Sequence, residues 1–447
     1  MSAYADRLEA LVAEAADRCT GCGKCFEACP TAREIGLDAG EAKARVGELS
    51  ALTLNGGQAA DGLQKWLNAC DGSARCSAAC PEDINVRQWV TIAKMKALDA
   101  ARPREVGAAN AAGRFRHMAQ AVRLLASMQL PSETLKKILQ PAERRTAEIL
   151  FYTGCNVLRT PHIVLNVMDI LDAMQLDFDV VGGTAHCCGV YQFQEADLPT
   201  YEKMGHRTFQ RLGQSGASKV LTWCPTCSKN FDELEKDVEE PFFDLGHVSE
   251  FLAANIETLK ARFVDQPKRR VVIHEHLGIG ATVDSIRKLL GAVPNLELVE
   301  LVQDSGFSYA CGGQAAKFKD RERAIHRGLA EGAVAAGADT IVTMYHSCHR
   351  ALAGAEAVYP SLKVVNFTDI LAEALGRGGH PDYYRLYKAG GAMDEAVAAA
   401  RQFLSSNGVR VDEASVQSLT ADIFDETGLA GSREAFAQAF TALAKEG

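Results

Sequence analysis

The chain contains 447 residues, a length that suits roughly two to four domains with buried cores. Its formal net charge of −9, with 57 acidic against 48 basic residues, lacks the basic excess that nucleic-acid binding requires, so we expect no nucleic-acid partner. We find no apolar run of about 18 residues and no apolar signal core, so neither a transmembrane helix nor a signal peptide is predicted. The expected location is cytoplasmic, with peripheral attachment to the inner face of the membrane as the alternative.

Cysteine is the most informative residue type in this sequence. The chain has 14 cysteines, and all but two of them fall into clustered motifs. Disulfides are rare in cytosolic proteins, and motif-like spacing favours metal binding over redox pairing or simple core packing. The clustered cysteines are therefore candidate metal ligands.

The first cysteine run follows a predicted helix over residues 2–18, whose apolar residues recur at helical spacing. The run has the spacing C-x2-C-x2-C-x3-C-P, which is typical of bacterial ferredoxins, and it comprises Cys19, Cys22, Cys25, Cys29 and Pro30. Three thiolates from one tight loop fit three corners of a cubane cluster, and Gly21 and Gly23 allow the backbone to wrap around it. A structural zinc ion is the alternative for this run.

The second run, Cys70, Cys76, Cys80 and Pro81, keeps the same register but has Ser73 at the second ligand position. Its pattern, C-x5-C-x3-C-P, resembles the [3Fe–4S] motif of succinate dehydrogenase and fumarate reductase iron–sulfur subunits. That resemblance implies one [4Fe–4S] cluster, with the ligands Cys19, Cys22, Cys25 and Cys80. It implies a second cluster on Cys29, Cys70 and Cys76. This second cluster is expected to be [3Fe–4S], or [4Fe–4S] if Asp71 or Ser73 supplies an oxygen ligand. Residues 31–69 and 86–100 carry helical patterns, which complete a predicted helical ferredoxin domain over residues 1–105.

A helical connector is predicted over residues 106–146. The stretch from residue 101 onward is locally basic, and an apolar stripe runs along it from Phe115 to Met128. The stripe indicates a helix that faces a core. A helix that docks a partner or lies on a membrane surface is the alternative.

An α/β unit is predicted next, over residues 147–265, because strand and helix patterns alternate there. Strands are expected at 147–152, 178–181 and 219–223, with helices after Pro161 and over 199–213. Five cysteines follow these strands: Cys155, Cys187, Cys188, Cys224 and Cys227. Each of them lies next to a glycine or a proline, or belongs to a pair whose other cysteine does. Open α/β sheets bind ligands at the carboxyl ends of their strands, so we expect these five thiols to converge.

A degenerate copy of this unit is predicted over residues 268–375, about 120 residues further along the chain. Ala310 and Tyr345 replace two of the five cysteines and no cysteine stands near His274, so only Cys311 and Cys348 remain. Four histidines accompany them and could form a metal site, although each alone is more typical of a loop or core: His274, His276, His346 and His349. Residues 376–447 are predicted to be a solvated helical extension, with a subunit-docking tail as the alternative.

The five-cysteine pattern, the tandem repeat and the ferredoxin runs together resemble the CCG-domain iron–sulfur proteins over about residues 15–375. This family includes heterodisulfide reductase catalytic subunits and the iron–sulfur subunits of glycolate oxidase and anaerobic glycerol-3-phosphate dehydrogenase. The resemblance implies a noncubane [4Fe–4S] cluster on the five cysteines of the first copy, whereas zinc is the alternative there. The predicted fold class is α/β plus all-α: a helical two-cluster ferredoxin domain, two tandem pseudo-symmetric CCG α/β domains and a helical C-terminal extension.

The sequence shows neither a well-placed G-x-G-x-x-G nor a P-loop, so we expect no nucleotide or flavin site within it. The first hypothesis is an iron–sulfur subunit of an oxidoreductase complex. It would relay electrons from a flavoprotein dehydrogenase or electron-transfer flavoprotein subunit to a quinone, a membrane partner or another carrier. The alternative is a heterodisulfide reductase-like subunit for thiol–disulfide or sulfur-transfer chemistry, in which Cys311 or Cys348 is a catalytic thiol or a terminal cluster ligand. A non-enzymatic scaffold subunit is the third hypothesis.

Overall fold

The structure is a computed structural model that describes residues 3–70, 72–139, 146–235, 243–275, 281–302, 311, 318–424 and 432–446. Asp71, His276 and Ala310, which the sequence interpretation used, lie outside these ranges. Among the described residues, no helix combines the length and the apolar character that crossing a bilayer demands.

The N-terminal part of the chain is entirely helical where it is described. Its α-helices are α1 (Ala3–Arg18), α2 (Lys24–Glu27), α3 (Pro30–Glu34), α4 (Ala42–Asn55), α5 (Asp61–Ala69), α6 (Arg75–Ala78) and α7 (Val86–Ala101). Helices α1, α4 and α5 pack on α7, and Leu49, Leu67 and Ala93 are fully buried between them. The short helices α2 and α6 pack against each other, which brings the two cysteine runs together.

The connector consists of helices α8 (Arg104–Ser127) and α9 (Ser132–Leu139). The apolar stripe of α8 is buried, with Met118 and Val122 both under 5% exposed, so the prediction of a core-facing helix is confirmed. Two of the basic side chains are engaged within the chain, because Arg102 and Arg114 both pair with Glu195 at N–O distances of 2.7 and 2.9 Å. These two arginines therefore hold the connector against the first α/β unit.

Eight strands in the described ranges form two parallel sheets of four strands each. They are β1 (Ile149–Gly154), β2 (Phe178–Gly182), β3 (Lys219–Thr222), β4 (Asp244–His247), β5 (Arg269–His274), β6 (Leu296–Leu298), β7 (Thr340–Thr343) and β8 (Lys363–Asn366). The strand order is β2-β1-β3-β4 in the first sheet and β6-β5-β7-β8 in the second. The identical order confirms the fold class and the duplication predicted from the sequence.

Helices surround both sheets, as parallel strands require. They are α10 (His162–Ala173), α11 (Val190–Gln194), α12 (Leu198–Gly213), α13 (Pro225–Glu235), α14 (Val248–Ala254), α15 (Ile256–Lys260), α16 (Thr282–Gly291), α17 (Lys319–Ala335), α18 (His346–Leu352), α19 (Ala355–Val358) and α20 (Phe367–Ala374). The two copies meet where α10 packs on α20 and α14 packs on α16. Trp223 of the first copy stacks on Phe367 of the second, with ring centroids 5.7 Å apart.

The C-terminal part of the chain contains α21 (Tyr383–Ala389), α22 (Met393–Ser406), α23 (Glu413–Phe424) and α24 (Arg433–Glu446). These helices are not a solvated appendage as expected, because they share a core with the second face of α8. Leu125 of α8 and Met128, which follows the helix, join the fully buried Phe436 and Phe440 in that core. The expectation was wrong because α8 is apolar on two faces, and the second face is buried by the C-terminal helices.

A buried ion pair ties the C-terminal helices to the first α/β unit. Arg159 Nη1 lies 2.6 Å from Asp422 Oδ1, and both side chains are 7% exposed. Removing one partner leaves an uncompensated buried charge, which costs about 3 kcal/mol or more. We therefore predict that Asp422→Ala lowers the midpoint of thermal unfolding by several degrees, measured by circular dichroism.

The matched control is Glu133→Ala, because Glu133 pairs with Lys136 on the surface, where both side chains are more than half exposed. Exposed pairs contribute at most about 1 kcal/mol, so this midpoint should barely move. Equal shifts for the two variants would show that the buried pair does not anchor the C-terminal helices.

Candidate metal centres

The first group of thiols lies between α2 and the loop before α7. Cys19, Cys22, Cys25 and Cys80 line one cavity of about 20 Å³. Burial, followed by the neighbouring Cys19, raises the pKa of Cys25 to about 12, and Cys22 and Cys80 contribute in the same direction. The four thiols therefore lie around one small space.

The second group consists of Cys29, Cys70 and Cys76. Burial is the main cause that raises the pKa of Cys76, and the next causes are the nearby Cys70 and Cys29. The indole N–H of Trp66 donates a hydrogen bond to Cys29 Sγ at 3.3 Å. Such a donor stabilises negative charge on sulfur, and hydrogen bonds to sulfur tune the potential of an iron–sulfur cluster. Ser73 is buried in the turn before α6.

A local symmetry explains why the last cysteine of each run joins the opposite group. The residues that precede α2 and α6, Gly23 and Ala74, both have left-handed backbones, with φ of 84° and 61°. A side chain at residue 23 would place its Cβ only 2.9 Å from that of Ala42, which explains the glycine. The two turns are equivalent and α2 contacts α6. Cys29 therefore lies with the cysteines of the second run, and Cys80 lies with those of the first.

The third group lies at the carboxyl edge of the first sheet. Cys155 directly follows β1, Cys187 and Cys188 follow β2, and Cys224 follows β3, with Cys227 in the first turn of α13. Strand β2 lies on one side of β1 and strand β3 on the other, so the chain changes direction between β1 and β3. Open α/β sheets bind ligands at such a switch point.

The five thiols of this group form a continuous series of contacts. Cys188 Sγ lies 3.6 Å from Cys227 Sγ. Contact with Cys187 is the largest cause that raises the pKa of Cys188, to about 12. Contact with Cys155 raises the pKa of Cys187, and contacts with Cys188 and Cys224 raise that of Cys227. The pKa of Cys224 is instead lowered, chiefly by its contact with Cys227. Three of the five thiols thus have a raised pKa, and bound cations would favour the thiolate form of all five.

The surroundings of the third group also suit a sulfur-ligated cluster. Asn230 Nδ2 and the amide of Gly189 donate to Cys188 Sγ and Cys187 Sγ, each at 3.4 Å. Gly154 has φ of 75°, and a Cβ there would lie 3.2 Å from Cys224 Cβ and 3.4 Å from a cysteine sulfur. Mononuclear zinc takes four ligands, so five converging thiols with sulfur-directed donors fit a larger iron–sulfur cluster better.

A cavity of about 210 Å³ joins the second and third groups to the second repeat. Cys70, Cys155, Cys224 and Cys311 all lie in its wall, although they come from three different parts of the chain. Basic side chains also line it, among them Lys94 and Lys229. The ferredoxin part and the α/β part therefore face one another across a shared space.

The second repeat gathers one cysteine with two histidines. His274 Nε2 lies 3.2 Å from Cys311 Sγ, and His326 Nε2 lies 3.3 Å from the same sulfur. His346 instead accepts a hydrogen bond from Trp223 at 3.2 Å, and His349 bonds Asp382 at 2.5 Å. His274 is thus the one histidine of the predicted set seen to contact a cysteine in the described ranges.

His326 is the site residue that sequence reasoning missed. It lies on α17, in the segment His326-Arg-Gly-Leu, which matches His206-Arg-Thr-Phe of the first repeat. Helix α17 is distant from β5 in the sequence but packs against it in the fold. The sequence alone therefore did not show that His326 lies close to His274.

Comparison with known protein families matches three segments of the chain. Residues 15–84 match the model of the 4Fe-4S dicluster domain, and residues 149–232 and 277–353 each match the model of the cysteine-rich CCG domain. These segments contain the cysteine groups described above.

Two curated proteins are similar to this chain. One is a subunit of the dihydromethanophenazine:CoB–CoM heterodisulfide reductase of Methanosarcina mazei. It is 27% identical over 245 residues, which cover 52% of this chain and 59% of that protein. The other is a subunit of the fumarate reductase (CoM/CoB) of Methanothermobacter marburgensis. It is 26% identical over 341 residues, which cover 74% of this chain and 66% of that protein. The chain thus spans less than two thirds of the length of either relative.

The tight approach at Gly154 yields a prediction. A Cβ in the left-handed region costs roughly 1–2 kcal/mol, and here it would also press on two ligand cysteines. We predict that Gly154→Ala lowers both the iron content of anaerobically purified protein and its thermal midpoint. Gly408→Ala is the control, because its φ is 62° and no atom lies within 4 Å of the position that a Cβ would take there. Equal iron loss in both variants would mean that the approach at residue 154 is irrelevant to the site.

Proposed function

Because the chain belongs to the CCG-domain iron–sulfur proteins, we propose that it is an iron–sulfur electron-transfer subunit of a multi-subunit oxidoreductase. The observation that carries this proposal is the shared cavity in whose wall Cys70, Cys155 and Cys224 lie. It sets a ferredoxin-type thiol group opposite the five-cysteine group within one chain. The names of both relatives describe subunits of reductases, which supports the same role.

We assign the clusters by the grouping of the thiols. A [4Fe–4S] cluster on the first group would be held by Cys19, Cys22, Cys25 and Cys80. A [3Fe–4S] cluster would be held by Cys29, Cys70 and Cys76, since a serine occupies the second ligand position. The noncubane [4Fe–4S] cluster would be held by Cys155, Cys187, Cys188, Cys224 and Cys227. When bound, these clusters supply one-electron transfer chemistry.

The side chains around these groups then have separate tasks in a relay. The position of Cys70 in both the second group and the cavity wall makes the second group the link between the other two. Trp66 and Asn230 donate to ligand sulfurs and would raise the potentials of the centres that they contact. Helix α8, held by the two arginines on Glu195, keeps the ferredoxin part and the α/β part at a constant separation.

The proposed electron donor is a flavoprotein dehydrogenase or an electron-transfer flavoprotein subunit, and the proposed acceptor is a quinone, a membrane partner or another carrier. This follows from the chemistry of the site, because one-electron centres need a partner that exchanges single electrons. Flavins do so while also accepting hydride. The second relative's name, fumarate reductase, is consistent with a dehydrogenase-type partner.

A second candidate function is heterodisulfide reductase-like thiol–disulfide or sulfur-transfer catalysis. The cavity favours it, since about 210 Å³ of space lies beside the partly exposed Cys155 and Cys224 and could admit a small sulfur compound. Turnover of disulfides by the purified chain with an artificial electron donor would support this function. Reduction by a flavoprotein partner without disulfide turnover would support the relay.

The five-cysteine site is tested by Cys227→Ser. The serine removes one sulfur ligand, so we predict loss of the electron paramagnetic resonance signal of that centre and a drop of at least about tenfold in electron flux to an acceptor dye. Thr226→Ser is the matched control, because it changes the residue next to Cys227 without removing a sulfur. An unchanged spectrum and flux in Cys227→Ser would exclude the proposed centre.

The type of the second cluster is tested at Ser73. We predict about eleven irons per chain in the wild type, together with an oxidised-state three-iron signal. Ser73→Cys restores the missing thiol, so it should abolish that signal and raise the count to about twelve irons. Ser73→Ala should leave both unchanged. A loss of iron in Ser73→Ala would instead identify the serine hydroxyl as a ligand of a four-iron cluster.

A further inference from the structure

The degenerate second repeat contains a compact set of nitrogen and sulfur ligand atoms. The ligand atoms of His274, Cys311 and His326 all lie within 4.8 Å of one another. Cys348 is in hydrogen-bonding contact with Cys311. Two imidazoles and one thiol therefore meet at one point, and the thiol of Cys348 lies beside that of Cys311.

The set lies in the protein interior. His274, Cys311, His326 and Cys348 are 2%, 5%, 1% and 0% exposed. Burial, and then Cys348 and the equally buried Glu322, raise the pKa of Cys311 well above its usual range. A carboxylate and two thiolates in this position would be costly without a cation, so a bound cation would favour their ionised forms.

The set stands where the first repeat has its five cysteines. His274 ends β5 as Gly154 ends β1, Cys311 corresponds to Cys188, and Cys348 corresponds to Cys227. Only two of the five cysteine positions are kept, so the ligands of a noncubane cluster are missing here. The position is nevertheless polar, because His274 and His326 both contact the sulfur of Cys311.

We propose that His274, Cys311, His326 and Cys348 bind one zinc ion in place of a second cluster. A tetrahedral set of two imidazole nitrogens and two thiolates is typical of zinc, which binds them at about 2.0–2.1 and 2.3 Å. Those bond lengths place a nitrogen and a sulfur ligand about 3.6 Å apart. The present separations of 3.2 and 3.3 Å need to widen by only a few tenths of an ångström.

Four protein ligands close the coordination sphere, so the ion is structural rather than catalytic. Its ligands come from β5, the segment that contains Cys311, α17 and α18, which the ion would join at the carboxyl edge of the second sheet. Cys311 also lies in the wall of the cavity shared with Cys155 and Cys224. Zinc would thereby stabilise the wall opposite the proposed redox site. The inference does not depend on the proposed function, since zinc can be counted whatever the iron clusters do.

The test uses the full chain, purified anaerobically from zinc-supplemented culture, with zinc measured by plasma mass spectrometry. We expect about one zinc per chain, and absorption spectroscopy at the zinc edge should show about two sulfurs near 2.3 Å and two nitrogens near 2.0 Å. These zinc measurements require no variant and do not respond to iron. Zinc below about a tenth of an equivalent, iron in its place, or a shell of four sulfurs would each overturn the proposal.

Variants then identify the ligands. His326→Gln and Cys311→Ser should each lower the zinc content at least fivefold while the iron content and the iron–sulfur spectra persist, which also reports that the chain has folded. His206→Gln is the matched control, because it changes the corresponding histidine of the first repeat and should retain zinc. Full zinc retention in His326→Gln would exclude the assignment.

Discussion

Thiols held in contact inside the protein are the constraint on which the rest of this structure depends. Contact with Cys188, whose sulfur lies 3.6 Å away, raises the pKa of Cys227, and neighbouring cysteines likewise raise the pKa of Cys25 and Cys76 in the ferredoxin-type groups. Water cannot relieve this crowding, because Cys187, Cys188 and Cys227 are each about 2% exposed. Metal bound by these thiols would contribute directly to folding, and its uptake would release protons.

The two sheets show how one scaffold presents different side chains at equivalent positions. Parallel strands in the order β2-β1-β3-β4 leave a crevice at their carboxyl edge, and the second sheet repeats the arrangement. In the first crevice the backbone approaches closely at Gly154, so five sulfurs fit. In the second, His274 ends the equivalent strand and its imidazole fills the corresponding space beside Cys311. The crevice is preserved while its ligands have diverged.

Helix α8 packs against both the first α/β unit and the C-terminal helices and so joins them. One face packs on the first α/β unit and the other on the C-terminal helices, with Phe436 and Phe440 fully buried. Nearby, Glu195 binds both Arg102 and Arg114. Electron transfer requires constant distances between centres, and this packing keeps Cys70 and Cys155 in the wall of one cavity. The C-terminal helices would thus contribute to the geometry of the proposed relay through packing alone.

The sequence by itself determined the features that depend on local spacing. The C-x2-C-x2-C run, the order of strands and helices and the duplication could all be read from it, because residues a few positions apart have few ways to be arranged. Tertiary structure decided what depends on distant segments. His326 on α17 meets Cys311, whereas His346 and His349, although close to Cys348 in sequence, bond Trp223 and Asp382. The packing of the C-terminal helices on α8 could likewise not be predicted from the sequence. Periodicity shows that a helix face is apolar, but it does not show which segment buries that face.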